Sequence, residues 1–374
     1  MAVGQDARFT SGKSSRPEGR RLRVYSIMIG HEMKAMNTKA LGAATVMMTA
    51  AFASPAQSDP CIFDAGGGYY LSERSECDAT ANVVSGAGRS IEALGESVIQ
   101  QQLMFGGVGG FAGPTGRVRH TKHDGLVESA TGDRLAASES DEASVFANAS
   151  FDLPGTVFGG QVRISGLIGG NWLSQETSFS DSQIDAIVYG GSYLWSYGSL
   201  YAMTLVIGLS GEVDNRTYGD RYNYDIAGYV ANSVVGYTFR MPENLSFDLR
   251  GSVGRYDVSG DSYVLAQFGG GRLGGAADAW NAALTGTLFT IVEIEGGGVI
   301  RPYVAATYKN VFDEDIELRG ALTASLEQAD DYGKVELGYD YVQGLMTLGA
   351  AAYTEFSADE HTFGARIAMS VKLQ

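Results

Sequence analysis

Two acidic runs hold the residues best placed to do chemistry. Asp313-Glu314-Asp315 and Asp359-Glu360-His361 both concentrate carboxylates, and the second adds an imidazole. A histidine polarised by carboxylates can take a proton from water, so the two runs, brought to one site, would suit peptide hydrolysis. The competing reading is that they are solvated loops in an acid-rich chain, where an Asp two residues from a His arises by chance. His120 and His123 have metal-like spacing, but no carboxylate or cysteine converges on them in sequence, and no metal site is expected. Cys61 and Cys77, the only cysteines, are too few for structural zinc and lack the C-x-x-C spacing of a redox pair. In an oxidising compartment they most simply close one disulfide loop. There is no Gly-rich phosphate loop and no nucleophile elbow. The expectation is a protein that is not an enzyme and carries no cofactor.

The elements that would position these residues begin with a leader. Residues 33–56 place Lys34 and Lys39 before an apolar stretch from Ala40 to Phe52, followed by small residues at Ala51-Phe52-Ala53 and Ser54-Pro55-Ala56. That is a secretory signal peptide, too short to span a bilayer. Residues 1–32 are either a basic leader extension or a consequence of a mis-assigned start, with translation beginning at Met33 or Met36. The net charge of -16 is uneven: the first 56 residues are net basic and the acidic excess lies beyond them. An anionic body without a Lys/Arg cluster argues against nucleic acid as a partner.

Residues 57–78 form the short disulfide loop. In residues 79–116, Val84, Ile91, Leu94, Val98 and Leu103 recur at helical spacing, predicting a helix over 90–103, with Arg89, Glu92, Glu96 and three glutamines on its polar sides. The Gly-rich stretch Gly106 to Gly116 then reads as a linker.

From residue 143 the period changes to two. Tyr201, Met203, Leu205, Ile207, Leu209 and Val213 oppose Thr204, Ser210 and Glu212; Leu245, Phe247, Leu249 and Val253 oppose Ser246, Asp248 and Arg250; Val335, Leu337, Tyr339 and Tyr341 oppose Lys334, Glu336 and Asp340. Eleven such strands are predicted between 143 and 373. Tight connections such as Leu153-Pro154-Gly155-Thr156, Ser196 to Ser199 and Gln343-Gly344 alternate with longer polar ones such as Trp172 to Gln183, Val258 to Ala277 and Asp313 to Asp330. A mean hydropathy near zero with 51 Gly and 7 Pro fits a wall whose two faces cancel. The fold expected is all-β: a transmembrane antiparallel up-and-down β-barrel over 117–374, preceded by an N-terminal α-helix that would suit its lumen. Strand parity demands a twelfth strand, sought within 117–135. Polar alternates would face a watery lumen, with Arg163, Asp248, Arg250, Glu336, Asp340 and Arg366 the charged candidates, and the apolar alternates would face lipid.

A signal peptide, a helix and twelve strands ending at the C-terminus together resemble the translocator domain of autotransporters, the type V secretion family. The resemblance covers roughly residues 80–374 and lies in architecture and pattern. It implies a barrel in the outer membrane of a Gram-negative bacterium, a helix threaded through the lumen, and an N-terminal passenger, here very short or absent. It further implies outer-membrane lipid, the general secretion machinery and the barrel-assembly machinery as partners, the last reading the terminal strand through Phe363, Gly364, Ile367, Met369, Val371 and Leu373. The alternatives kept open are a small outer-membrane porin or channel, and a surface protease in which the acidic runs resemble the Asp pair and Asp-His pair of omptins. Oligomeric state is not legible.

Overall fold

The computed structural model describes residues 62–64, 70–72, 74–104, 110–123, 138–177, 180–217, 220–242, 244–265, 271–319, 323–358 and 360–373. The signal peptide and residues 1–32 lie outside them.

A short antiparallel hairpin, β1 (Ile62–Asp64) and β2 (Tyr70–Ser72), leads into one long helix, α1 (Arg74–Met104). The helix starts well ahead of the predicted 90–103. Between Cys77 and Ser85 only Ala79 and Ala81 are strong helix formers, Asp78, Thr80, Asn82, Val83 and Val84 being weak ones, and burial helps hold the stretch helical: Ala79, Ala81, Val83 and Val84 are all enclosed. No described helix is apolar enough to cross a membrane.

Twelve antiparallel strands follow among the described residues: β3 (Phe111–His123), β4 (Ser138–Asp152), β5 (Gln161–Thr177), β6 (Ser180–Tyr197), β7 (Leu200–Thr217), β8 (Asp220–Arg240), β9 (Leu245–Leu265), β10 (Gly271–Thr290), β12 (Gly298–Arg319), β13 (Thr323–Gln343), β14 (Met346–Phe356) and β15 (Glu360–Lys372). A three-residue strand, β11 (Val292–Ile294), sits in the connection between β10 and β12. Each strand pairs with its chain neighbours, β10 pairs with β12, and β15 pairs with β3, so the sheet closes on itself and leaves no free edge around the ring. The closing seam keeps one register from Glu360↔His123 to Lys372↔Phe111, except that Gly113 and Pro114 are unpaired to β15, as Pro114 has no N–H to give.

The connections expected to be tight all lie at one end. Gly198 (φ 62°) and Gly344 (φ 59°) each open a two-residue hairpin turn in the left-handed region, where a side chain would be strained. Phe151, Tyr197, Tyr237 and Phe239 are exposed beside these turns, while Trp172, Tyr229, Trp280, Tyr308, Phe356 and Phe363 are exposed about one tilted strand-length away. Roughly ten residues at ~3.3 Å rise and ~40° tilt span about 25 Å, the height of a lipid-facing band between two aromatic girdles. Ile168, Ile187, Val235, Leu284, Leu337 and Ile367 are exposed between them.

Three expectations need correcting. The twelfth strand is β3, which runs through the glycines read as a linker; its outward residues Ala112, Pro114 and Gly116 are too small to show alternation, and the trial pattern at 126–130 lies outside the described residues. The longer connections are mostly strand. β6 begins at Ser180, β7 ends at Thr217, and β12 and β13 run on through the acidic run at 313–315 to Arg319 and Thr323. Above the girdle both faces meet water, so alternation fades although the ladder continues. Finally, β7 is inverted: Met203, Leu205, Ile207, Leu209 and Val213 point inward and are fully enclosed, whereas Thr204, Val206 and Ser210 point out.

The rim at the loop end is uneven. β12 continues eleven residues past Tyr308, whereas β14 ends at Phe356 and β15 starts three residues before Phe363. Among the described residues the wall is therefore tall around β8–β13 and low at β14–β15.

Candidate functional site

The lumen is the one place where the helix and every part of the wall converge, and its inner surface has two halves. Against one side of α1 the wall is apolar. Ile184 and Val188 of β6, the inward row of β7, Ile226, Val230 and Val234 of β8, and Val258 of β9 form one cluster with Val84, Ile91, Leu94 and Val98 of the helix. This is why β7 inverts: its inward row has a hydrophobic partner in α1, so burial there exceeds what the thinner lipid-facing row could gain. Close approach depends on helix glycines. A Cβ on Gly88 would lie 2.3 Å from the Tyr256 ring, and one on Gly95 would lie 3.0 Å from Asn232 Nδ2 and 3.7 Å from Leu205.

Against the other side the wall is charged, and the polar residues of α1 meet it group for group. Arg89 lies 2.6 Å from Glu360 and 3.3 Å from Glu314, whose carboxylate also accepts bonds from Ser85 Oγ (2.9 Å) and Tyr256 OH (2.8 Å). Glu92 and Glu96 take Lys309 at 3.4 and 3.6 Å, and Glu96 and Glu355 share Lys334 at 2.9 and 3.0 Å. Arg117 pairs with Glu142 and donates to the Ser90 carbonyl, and Asn171 donates to Ser90 Oγ at 2.8 Å. Arg119 joins Glu355 and Glu360 at 3.5 and 3.4 Å. Charges out of water are tolerated only when paired, and here they interlock helix and wall.

The six charged residues chosen from alternation all lie on the interior. Toward the turn end, Arg163 holds Asp152 at 2.7 Å, Asp248 accepts Tyr201 and Thr238, and Arg250 donates to Gln100 of the helix at 2.6 Å. Arg301 binds Asp340 at 2.8 Å, while Arg366 binds Glu336 at 2.9 Å and the Ser97 carbonyl at 3.3 Å. In the terminal strand Phe363, Ile367, Met369, Val371 and Leu373 are exposed outward, and Gly364 leaves room for the Tyr353 ring. Cys77, in the first turn of α1, is disulfide-bonded; the only other cysteine is Cys61, which lies outside the described residues.

Among the described residues the acidic runs do not meet as a hydrolytic pair; Asp359 and the Asp313 side chain lie outside them. Glu314 and Glu360 point inward and bind Arg89, whereas His361 points outward on the other face of β15. His120 is outward and bonded to Asp141 at 2.8 Å. Sequence reading passed over Arg117, Arg119, Glu142, Lys309 and Glu355. Their alternation with Val118, Ala143, Tyr308 and Thr354 was the available signal for an inward face, but not for whom they bind.

The arrangement is thus a closed barrel whose lumen is filled by a helix docked on both an apolar and an ionic surface. No protein-family model matches the chain, and no curated protein does either. Solved structures do. The translocator domain of the autotransporter NalP from Neisseria meningitidis is similar at 11% identity over 79% of this chain and 98% of that one, with a TM-score of 0.58. The transport unit of AIDA-I from Escherichia coli gives 11%, 79% and 99%, with 0.56. The β domain of the Bordetella autotransporter BrkA gives 15%, 70% and 99%, with 0.55. The chain has the fold of the autotransporter translocator domains, a closed twelve-stranded outer-membrane-type barrel with a helix ahead of its first strand.

Proposed function

We propose that this chain is a translocator-type barrel in the outer membrane of a Gram-negative bacterium, and that α1 is its resident plug. The observation that carries this is the docking of α1 along the lumen through Arg89, Glu92, Glu96, Gln100 and the Ser90 and Ser97 carbonyls. With the tight turns in the periplasm, as short turns are in such barrels, the helix runs from the outer mouth inward to β3. The segment ahead of it, with the β1–β2 hairpin, is then delivered to the cell surface. Export through the general secretion machinery and insertion by the barrel-assembly machinery, which would engage β15, complete the reading. An open porin fits less well, since the helix occupies the lumen that solutes would cross.

Two measurements test it. Deletion of residues 57–109 should convert a nearly silent channel in planar bilayers into a steadily conducting one; unchanged conductance overturns the plug. A protease-cleavable tag inserted between Cys61 and Cys77 should be cut on intact cells. Protection of the tag while the barrel is in the membrane overturns surface delivery.

A further inference from the structure

The outer wall carries a hollow that the lumen reading does not use. About 560 Å³ in volume, it lies on the lipid-facing side of β3, β4 and β15, floored by Val118, Ala143 and Ala365 and bounded by Trp172 and Phe363 of the loop-end girdle. Small residues between two large exposed aromatics leave a trough continuous with the lipid-facing band. Beside it the connection between β14 and β15 keeps that part of the described rim low, so the ends of those two strands stay at headgroup depth. Two basic side chains face outward there: Lys122 and His361 are exposed and directly opposite each other across the closing seam, about 5 Å apart at their Cα atoms. Among the described residues neither forms an ion pair. The other outward-facing basic residues with a resolved partner, Arg221, Arg255 and Arg319, each sit on a carboxylate in the tall part of the wall. Beside Lys122 and His361 lie acceptors and a hydroxyl-binding set, Glu139 opposite Lys122 on β4 and the His120–Asp141 pair.

We propose that this is a site for a phosphorylated glycolipid of the outer leaflet. One acyl chain would lie in the trough, its phosphate against Lys122 and His361, and its sugar hydroxyls toward Glu139 and Asp141. The apolar trough alone would take any lipid; an ammonium and an imidazole N–H donor flanked by carboxylate acceptors are what favour a headgroup bearing both phosphate and sugar. The proposal rests on the outer-membrane orientation above.

The test uses the mature chain purified in detergent and supplied with bisphosphorylated lipid A or with phosphatidylglycerol, retained lipid being read by native mass spectrometry. Heat-modifiable gel migration reports barrel folding separately. Lipid A should be retained about tenfold better than phosphatidylglycerol. Lys122→Gln with His361→Gln should erase that preference, and Ala365→Phe should lower retention of both lipids at the trough. The double variant changes only outward positions and keeps the test available should Ala365→Phe misfold. Equal retention of the two lipids by a folded barrel, or a preference unchanged in the double variant, overturns the proposal while leaving the translocator reading intact.

Discussion

Leu205 and Val206 are neighbours on β7 whose roles a purely alternating reading would exchange. Leu205 is enclosed between wall and helix, and Val206 is exposed on the outer face. Leu205→Ala removes three carbons, a transfer loss of about 2.4 kcal/mol at ~0.8 kcal/mol per methylene. The cavity left against α1 raises the cost to about 3 kcal/mol or more. An undocked helix would leave Leu205 facing lumen water, so most of that loss falls on the docked state. A 3 kcal/mol bias moves the docking equilibrium about 150-fold. Amide hydrogen exchange across residues 83–98 of α1 should quicken by that order, and single-channel records should show correspondingly more frequent open events. Val206→Ala, a loss of two exposed carbons, should change neither. If Leu205→Ala leaves helix exchange and conductance untouched while Val206→Ala alters them, then β7 is not inverted and the two-faced lumen is wrong.

Further outcomes follow from the same geometry. Arg89→Met removes a cation from between two buried carboxylates and should lower stability to urea by about 3–5 kcal/mol, with Glu360→Gln in that background recovering part of the loss. Gly88→Ala drives a methyl into the Tyr256 ring and should destabilise by about 1–3 kcal/mol, relieved by Tyr256→Leu in a thermal melt. Ile367→Asp puts a carboxylate in the lipid-facing band and should block assembly, whereas Ala368→Asp, facing the lumen, should insert normally in a membrane-fractionation assay. Equal insertion of these two would reverse the assigned faces of β15.

Most of the architecture was legible because a closed barrel repeats one local rule. Alternation in β9, β10, β13 and β15 and the sorting of tight from long connections are short-range signals, and they suffice for strand number and parity. What escaped was set by distant partners. Nothing around Tyr201 to Val213 says that a helix a hundred residues earlier will cover its apolar row, so the rule that apolar faces lipid failed there. β3 was hidden because the outward positions of its first half, Ala112, Pro114 and Gly116, are alanine, proline and glycine. The carboxylates at 314 and 360 drew attention as chemistry, yet their role is decided by Arg89, more than two hundred residues away in sequence. Arg89, Glu92 and Glu96 were readable as the polar side of a helix, but not as one half of an ionic interface.

The six residues between Met104 and Phe111 also limit what the plug can do. Fully extended, they reach about 20 Å, whereas the 31-residue helix is about 46 Å long. Anchored at β3, the helix therefore cannot leave through the far mouth as an intact rod. Complete clearance in that direction would require it to unravel, giving up its backbone hydrogen bonds along with its wall contacts. In that direction the plug is captive, a piston of limited stroke: an opening toward the far mouth should come in partial steps, and full clearance of the intact helix is left only to the mouth where β3 begins.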